Sequence, residues 1–144
     1  MSQSHQITGT SPATASTAVV GSVTGQLGQY DGLSIIATLV GATGGTLDVY
    51  LQYSPDQGTT WIDYAHFPQL AAGAASSIRV WNVSRVAQQL TLTTVGSALS
   101  PALAANTILG GEFGDRLRCV CVAGASTSAG AVVTIKILGT PGGR

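Results

Sequence analysis

Charge is what this 144-residue chain has least of. Only 8% of its residues are charged, six basic against six acidic, where about a quarter is ordinary for a soluble domain. Lys136 is the single lysine, and of the five arginines only Arg116 and Arg118 lie close together. Zero formal net charge without a basic stripe argues against a nucleic-acid partner, because phosphate binding needs clustered cations to replace counterions. A free monomer normally carries more charge to stay dispersed, so the scarcity points to a surface covered by other subunits. Long apolar runs are missing too. Nineteen glycines break up the Ala, Val and Leu, and nothing approaches the roughly 20 residues a membrane helix needs, so no membrane partner is expected. Residues 1–5 lack a basic stretch followed by an apolar one, so no secretory signal is expected and synthesis in the cytoplasm is.

Cysteine is almost absent. Cys119 and Cys121 share one face of a strand, a poor geometry for a mutual disulfide, and are expected to be small buried thiols. With only His5 and His66 as further soft ligands, far apart in the chain, they make no zinc set, and no metal is expected. No phosphate loop, dinucleotide fingerprint or nucleophile elbow occurs, so no cofactor and no enzymatic activity are expected. The nearest approach to a catalytic cluster is Asp63-Tyr64-Ala65-His66. On a regular strand Asp63 and His66 face opposite sides. Asp48 and Asp63 are candidates for a carboxylate pair across a hairpin, as in glycosidases, although a solvated sheet face explains them more simply.

What the chain does have is β pattern and turn chemistry. In residues 47–53, Leu47, Val49, Leu51 and Tyr53 alternate with Asp48, Tyr50 and Gln52, the period of a half-buried strand. A turn follows, with Pro55 presetting φ, Asp56 able to accept from the turn backbone and Gly58 permitting positive φ. Trp61 opens the return strand as a large apolar anchor. Ser54, Asp56, Gly58, Thr60 and Trp61 match Ser-x-Asp-x-Gly-x-Thr-Trp, a pattern similar to the Asp-box clip of sialidase-like propellers. A single copy, unrepeated at any blade-sized period, argues against a propeller and for one pinned hairpin.

Residues 1–17 are nearly all small and polar, with Ile7 the lone apolar side chain, and read as a flexible or partner-draped arm. Residues 18–139 form the expected domain, and 140–144 a short tail. Further strands are expected at 18–24, 33–40, 77–84, 88–95, 115–122 and 131–139, with a short helix or long loop over 99–108. About eight short strands without crossover helices favour an antiparallel, jelly-roll-like β-sandwich. Trp61, Trp81 and Phe113 are expected to fill its core. Tyr50, Tyr64 and Trp81 form a possible aromatic platform for sugar, with packing or an intersubunit contact as the other reading. Gly111 and Gly114 bracket Phe113, where the backbone is expected to turn sharply. Arg116 and Arg118 then project from one strand face, either to grip acidic groups of a partner or to pair within the domain with Asp115, Glu112 or Asp63.

The hairpin of residues 48–67, followed by Gly-x-Phe-Gly-Asp-x-Leu-Arg at 111–118, resembles small structural proteins encoded among the head genes of tailed bacteriophages. The resemblance implies a virion decoration or cement protein on the exterior of the capsid, bridging subunits of the major capsid protein as a homo-oligomer, either dimer or trimer. Under that reading Arg116, Arg118, Tyr50 and Tyr64 are possible interface residues. The alternatives are a tail- or fibre-associated adhesin and a carbohydrate-binding β-sandwich module.

Overall fold

Alternation at period two sets the architecture: where it is sustained the chain runs extended, and where Gly, Pro, Ser and Thr cluster it turns. A computed structural model describes residues 4–12, 17–40, 45–71, 77–85, 96–97, 99–111, 113–124 and 131–141. Among them run β1 (Ser4–Thr10), β2 (Ala18–Thr24), β3 (Tyr30–Val40), β4 (Leu47–Ser54), β5 (Ile62–His66), β6 (Ser77–Ser84), β7 (Thr107–Ile108), β8 (Arg116–Ala123) and β9 (Val132–Pro141). One sheet has the order β1-β9-β3-β6 and the other β2-β8-β4-β5-β7, and every pairing is antiparallel. Apart from the two-residue β7, β1 pairs with β9, β2 with β8, β3 with β6 and β4 with β5. Such nested hairpins, rolled into two facing sheets, are the wrap of a jelly roll.

The core lies between the sheets. Leu33, Ile35 and Ala37 of β3 and Val133, Ile135 and Ile137 of β9 face Val49 and Leu51 of β4 and Leu117, Cys119 and Cys121 of β8. Phe113 is fully buried among them, under the Arg85 guanidinium, whose carbon sits 4.0 Å from the ring centroid. Arg85 also donates to the carbonyls of Tyr30 (2.7 Å), Gly114 (3.0 Å) and Leu27 (3.3 Å), tying three segments at one end of the sandwich. Gly111 and Gly114 do adopt positive φ, 87° and 65°, so the chain turns on both sides of Phe113.

Several expectations need correction. Residues 4–10 belong to the sandwich as β1, paired with β9 from Ser4 opposite Leu138 to Thr10 opposite Val132. One inward apolar residue suffices there, because Ile7 enters the core while the polar neighbours face out. The domain thus begins before residue 18, and β9 carries it past 139 to Pro141. No helix forms over 99–108, where the chain is irregular apart from β7. Trp61 lies outside the intersheet core, against Arg118. The expected strand at 88–95 and the side chain of Glu112 fall outside the described residues.

The two sides of the sandwich differ. At one side β1 and β2 close the sheets together: the Thr8 amide donates to Ser22 Oγ at 2.8 Å, and Thr24 Oγ1 meets His5 Nδ1 at 3.1 Å. Gly21 makes this approach possible, since a Cβ there would collide with the Thr8 carbonyl oxygen and the Cys119 sulfur. At the other side β6 borders one sheet and the short β7 the other, and a groove runs between them.

Candidate functional site

The 54–61 turn is a self-contained clip. Ser54 Oγ accepts from the Gly58 amide (2.6 Å) and donates to Asp56 Oδ1 (3.0 Å), which accepts from the Thr60 amide (2.6 Å). The Trp61 indole closes the loop by donating to the Gly58 carbonyl at 3.0 Å. The hydrogen bonds from Thr60 hold the Asp56 carboxyl below its ordinary range. The second distinctive block packs on this clip: the Asp115 amide donates to the Ser54 carbonyl (3.3 Å), and Asp115 Oδ1 accepts from the Gly28 amide (3.1 Å). The hydrogen bonds of Ser54, Asp56 and the Trp61 indole close within the hairpin, while the face of the Trp61 ring meets Arg118 of β8.

Beside the clip, the outer face of the five-stranded sheet carries a polar network beneath residues 96–97 and 99–103. Asp63 is fully buried. Its Oδ2 accepts from the amides of Gly96 (2.9 Å), Ala102 (2.8 Å) and Leu103 (3.0 Å), and its Oδ1 from Gln52 Nε2 (2.9 Å). Gln52 Oε1 in turn accepts from Arg118 Nε and Nη2, and the guanidinium lies 4.2 Å over the Trp61 ring. Arg118 therefore reaches Asp63 through an amide, not through a direct ion pair. Arg116 shares its strand face, and its Nε is buried without a hydrogen-bond partner among the described residues.

The expected opposition of Asp63 and His66 fails because of a bulge. Leu51 pairs with Ala65 and Gln52 with Asp63, so Tyr64 is the extra residue and both Asp63 and His66 reach the outer face. They do not bond to each other. His66 Nδ1 meets the Leu103 carbonyl (2.7 Å), its Nε2 meets Asp48 Oδ1 (3.2 Å), and its ring stacks on Tyr50 with centroids 3.8 Å apart. Both ring nitrogens are thus engaged, one by a backbone carbonyl and the other by a carboxylate. Asp48 and Asp63 do not pair either. Tyr50 lies between them, its hydroxyl pushed up by burial and then by these two carboxylates.

Nor do Tyr50, Tyr64 and Trp81 make a platform. Tyr64 is fully buried between the sheets, Tyr50 is covered on the outer face beside Leu103, and Trp81 belongs to the other sheet. As contact residues Tyr50 and Tyr64 offer almost no surface. Cys119 and Cys121 are free and fully buried, the Cys121 thiol pushed up by its neighbour and by burial. Among the described residues no three His, Cys, Asp or Glu side chains are placed to hold a metal, and no helix is long and apolar enough to cross a membrane.

Among the described residues two surfaces stand out, and the sequence singled out neither. The first is the groove on the open side of the sandwich, in two adjoining parts of about 360 and 440 Å³ that share Trp81 and Ile108. Phe67 meets Trp81 edge-on there, centroids 5.0 Å apart, Arg79 stands at the rim, and the buried Trp81 indole N–H has no acceptor among the described residues. The second is the outer face of the four-stranded sheet. Register aligns Val40 with Val132, Ile36 with Lys136 and Val80, and Ser34 with Leu138 and Asn82. Val40, Val132, Leu138, Ile78 and Val80 are exposed, the last two at 63% and 64%, and Lys136 is the one charged side chain in these rows. Period-two alternation marks this face only weakly, because its apolar residues are separated by threonines and serines. Compared with known proteins, the chain matches no family model, no curated protein and no solved structure.

Proposed function

We propose that this protein is a virion structural component, a decoration or cement protein that stabilises a tailed-phage head by bridging subunits of the major capsid protein. The observation that carries the reading is the outer face of the four-stranded sheet, where exposed Val40, Val132, Leu138, Ile78 and Val80 surround a single cation. An apolar, nearly uncharged sheet face is a surface built to be covered. The low overall charge and the resemblance of the 48–67 and 111–118 segments to head-gene proteins support the same reading. Its mechanism is added contact area. A standard interface buries about 1,600 Å², and repetition over a symmetric shell multiplies a modest local gain.

Mixing the purified protein with preformed phage shells and sedimenting the particles tests the proposal. Bound shells should withstand higher temperature before rupture than bare ones. Val132→Glu and Leu138→Glu place carboxylates on the apolar face at exposed positions and should abolish co-sedimentation while leaving the fold intact. Shells that neither bind the protein nor gain stability from it would sink the cement reading.

A further inference from the structure

We infer that two copies of this chain join edge to edge through β6, across a two-fold axis that passes Val80. The four sheet edges among the described residues are unequal. β1 and β2 face each other and are cross-linked by hydrogen bonds, β2 also breaks register between Val20 and Val23, and β7 is two residues long. β6 is the exception. It has eight residues, contains neither Pro nor Lys, and pairs with β3 without interruption from Ser77 opposite Leu39 to Ser84 opposite Gly32. No described strand lies on its other side. A long, regular edge without Pro, Lys or a bulge is a template for another strand. The two most exposed large apolar residues among those described, Ile78 and Val80, sit on this strand.

The occupant follows from the register. Directly opposed residues of an antiparallel pair lie on the same sheet face, so a strand paired with its own copy must centre on a single residue. Centring on Arg79 would set two guanidinium groups against each other. Centring on Val80 packs the two valines together and places Ile78 beside the partner's Asn82. It also sets Arg79 opposite the partner's Trp81, where a guanidinium over an indole is favourable. Arg79 and Trp81 line the same groove, so each copy fills part of the other's open side. With zero net charge the chain has little long-range repulsion to oppose this contact. The product is a continuous eight-stranded sheet that doubles the apolar outer face. The association is independent of the cement reading, since it requires no shell.

Sedimentation of the full chain alone, at micromolar concentration, should show a dimer. Val80→Lys opposes two ammonium groups at the axis, at a position exposed enough to spare the fold, and should weaken the dimer at least about tenfold. Val80→Cys should form an intermolecular disulfide with itself under mild oxidation, because opposed Cα atoms lie within disulfide range. Ile78→Cys, facing asparagine, should not. Cys119 and Cys121 are buried and do not compete. A monomer, a trimer or larger ring, a dimer that resists Val80→Lys, or a Val80→Cys protein that stays uncrosslinked overturns the inference. Because no particle is present, these outcomes are separate from success or failure of shell binding.

Discussion

Removing the Asp63 carboxylate should release the segment that covers the outer face of the five-stranded sheet. In Asp63→Ala the amides of Gly96, Ala102 and Leu103 lose their common acceptor, and Gln52 loses its partner. Each buried donor left unpaired costs about 1–3 kcal/mol, so three backbone amides alone sum to about 3–9 kcal/mol. The upper end is not reachable. The backbone at Gly96, Ala102 and Leu103 can peel away and give its amides to water, at the loss of Leu103 burial, about 2–3 kcal/mol, together with contacts to Tyr50 and Val120. The cheaper route sets the cost at about 3–5 kcal/mol. Asp63→Asn keeps one oxygen for the three amides without its charge and should lose only about 1–2 kcal/mol. Urea denaturation followed by tryptophan fluorescence gives the energies. Amide hydrogen exchange gives the place: protection at Gly96, Ala102 and Leu103 should fall in the alanine variant while that of β3 and β9 persists. An alanine variant within about 1 kcal/mol of the parent, with those three amides still protected, would refute the account of Asp63 as their anchor.

Two further outcomes follow from local geometry. The Asp56 carboxyl is held below its unfolded value, so its contribution to the hairpin is present above that value, near pH 4, and disappears as pH falls through the lower folded one. An NMR titration should show the Thr60 amide shift moving with this low-pH step, and Asp56→Asn should remove it. Gly21→Ala forces a methyl group against the Thr8 carbonyl and the Cys119 sulfur, and should destabilise the protein by about 1–3 kcal/mol in thermal unfolding. A Gly21→Ala protein as stable as the parent would mean that β1 and β2 do not close as described.

Local chemistry was the legible part of the chain. The 54–61 clip is readable because all its bonds are made within eight residues, and the turn at Phe113 because glycine alone takes positive φ without strain. Long-range features were not. β1 looks unable to support structure when its residues are considered alone. It becomes a strand because β9, more than a hundred residues later, supplies the pairing and Ile7 needs only one pocket. The bulge at Tyr64 inverts which residues share a face with His66, and no alternation rule shows a bulge in advance. Trp61, large and apolar, looks like core, yet its indole serves the turn and its ring supports a guanidinium on the outside of the sheet. The available surfaces were hidden for the same reason: the rows that unite Val40 with Val132 and Val80 with Ile36 exist only once four strands are aligned.

The pairing of β1 with β9 also bears on how the molecule is made. A ribosome delivers one end of this sheet long before the other, so β1 must wait for its neighbour while more than a hundred residues are added between them. The final closure joins residues widely separated along the chain, which makes folding slow by its nature. A product cut short before β9 would leave both β1 and β3 with bare flanks in the centre of the sheet, and should be insoluble rather than merely less stable.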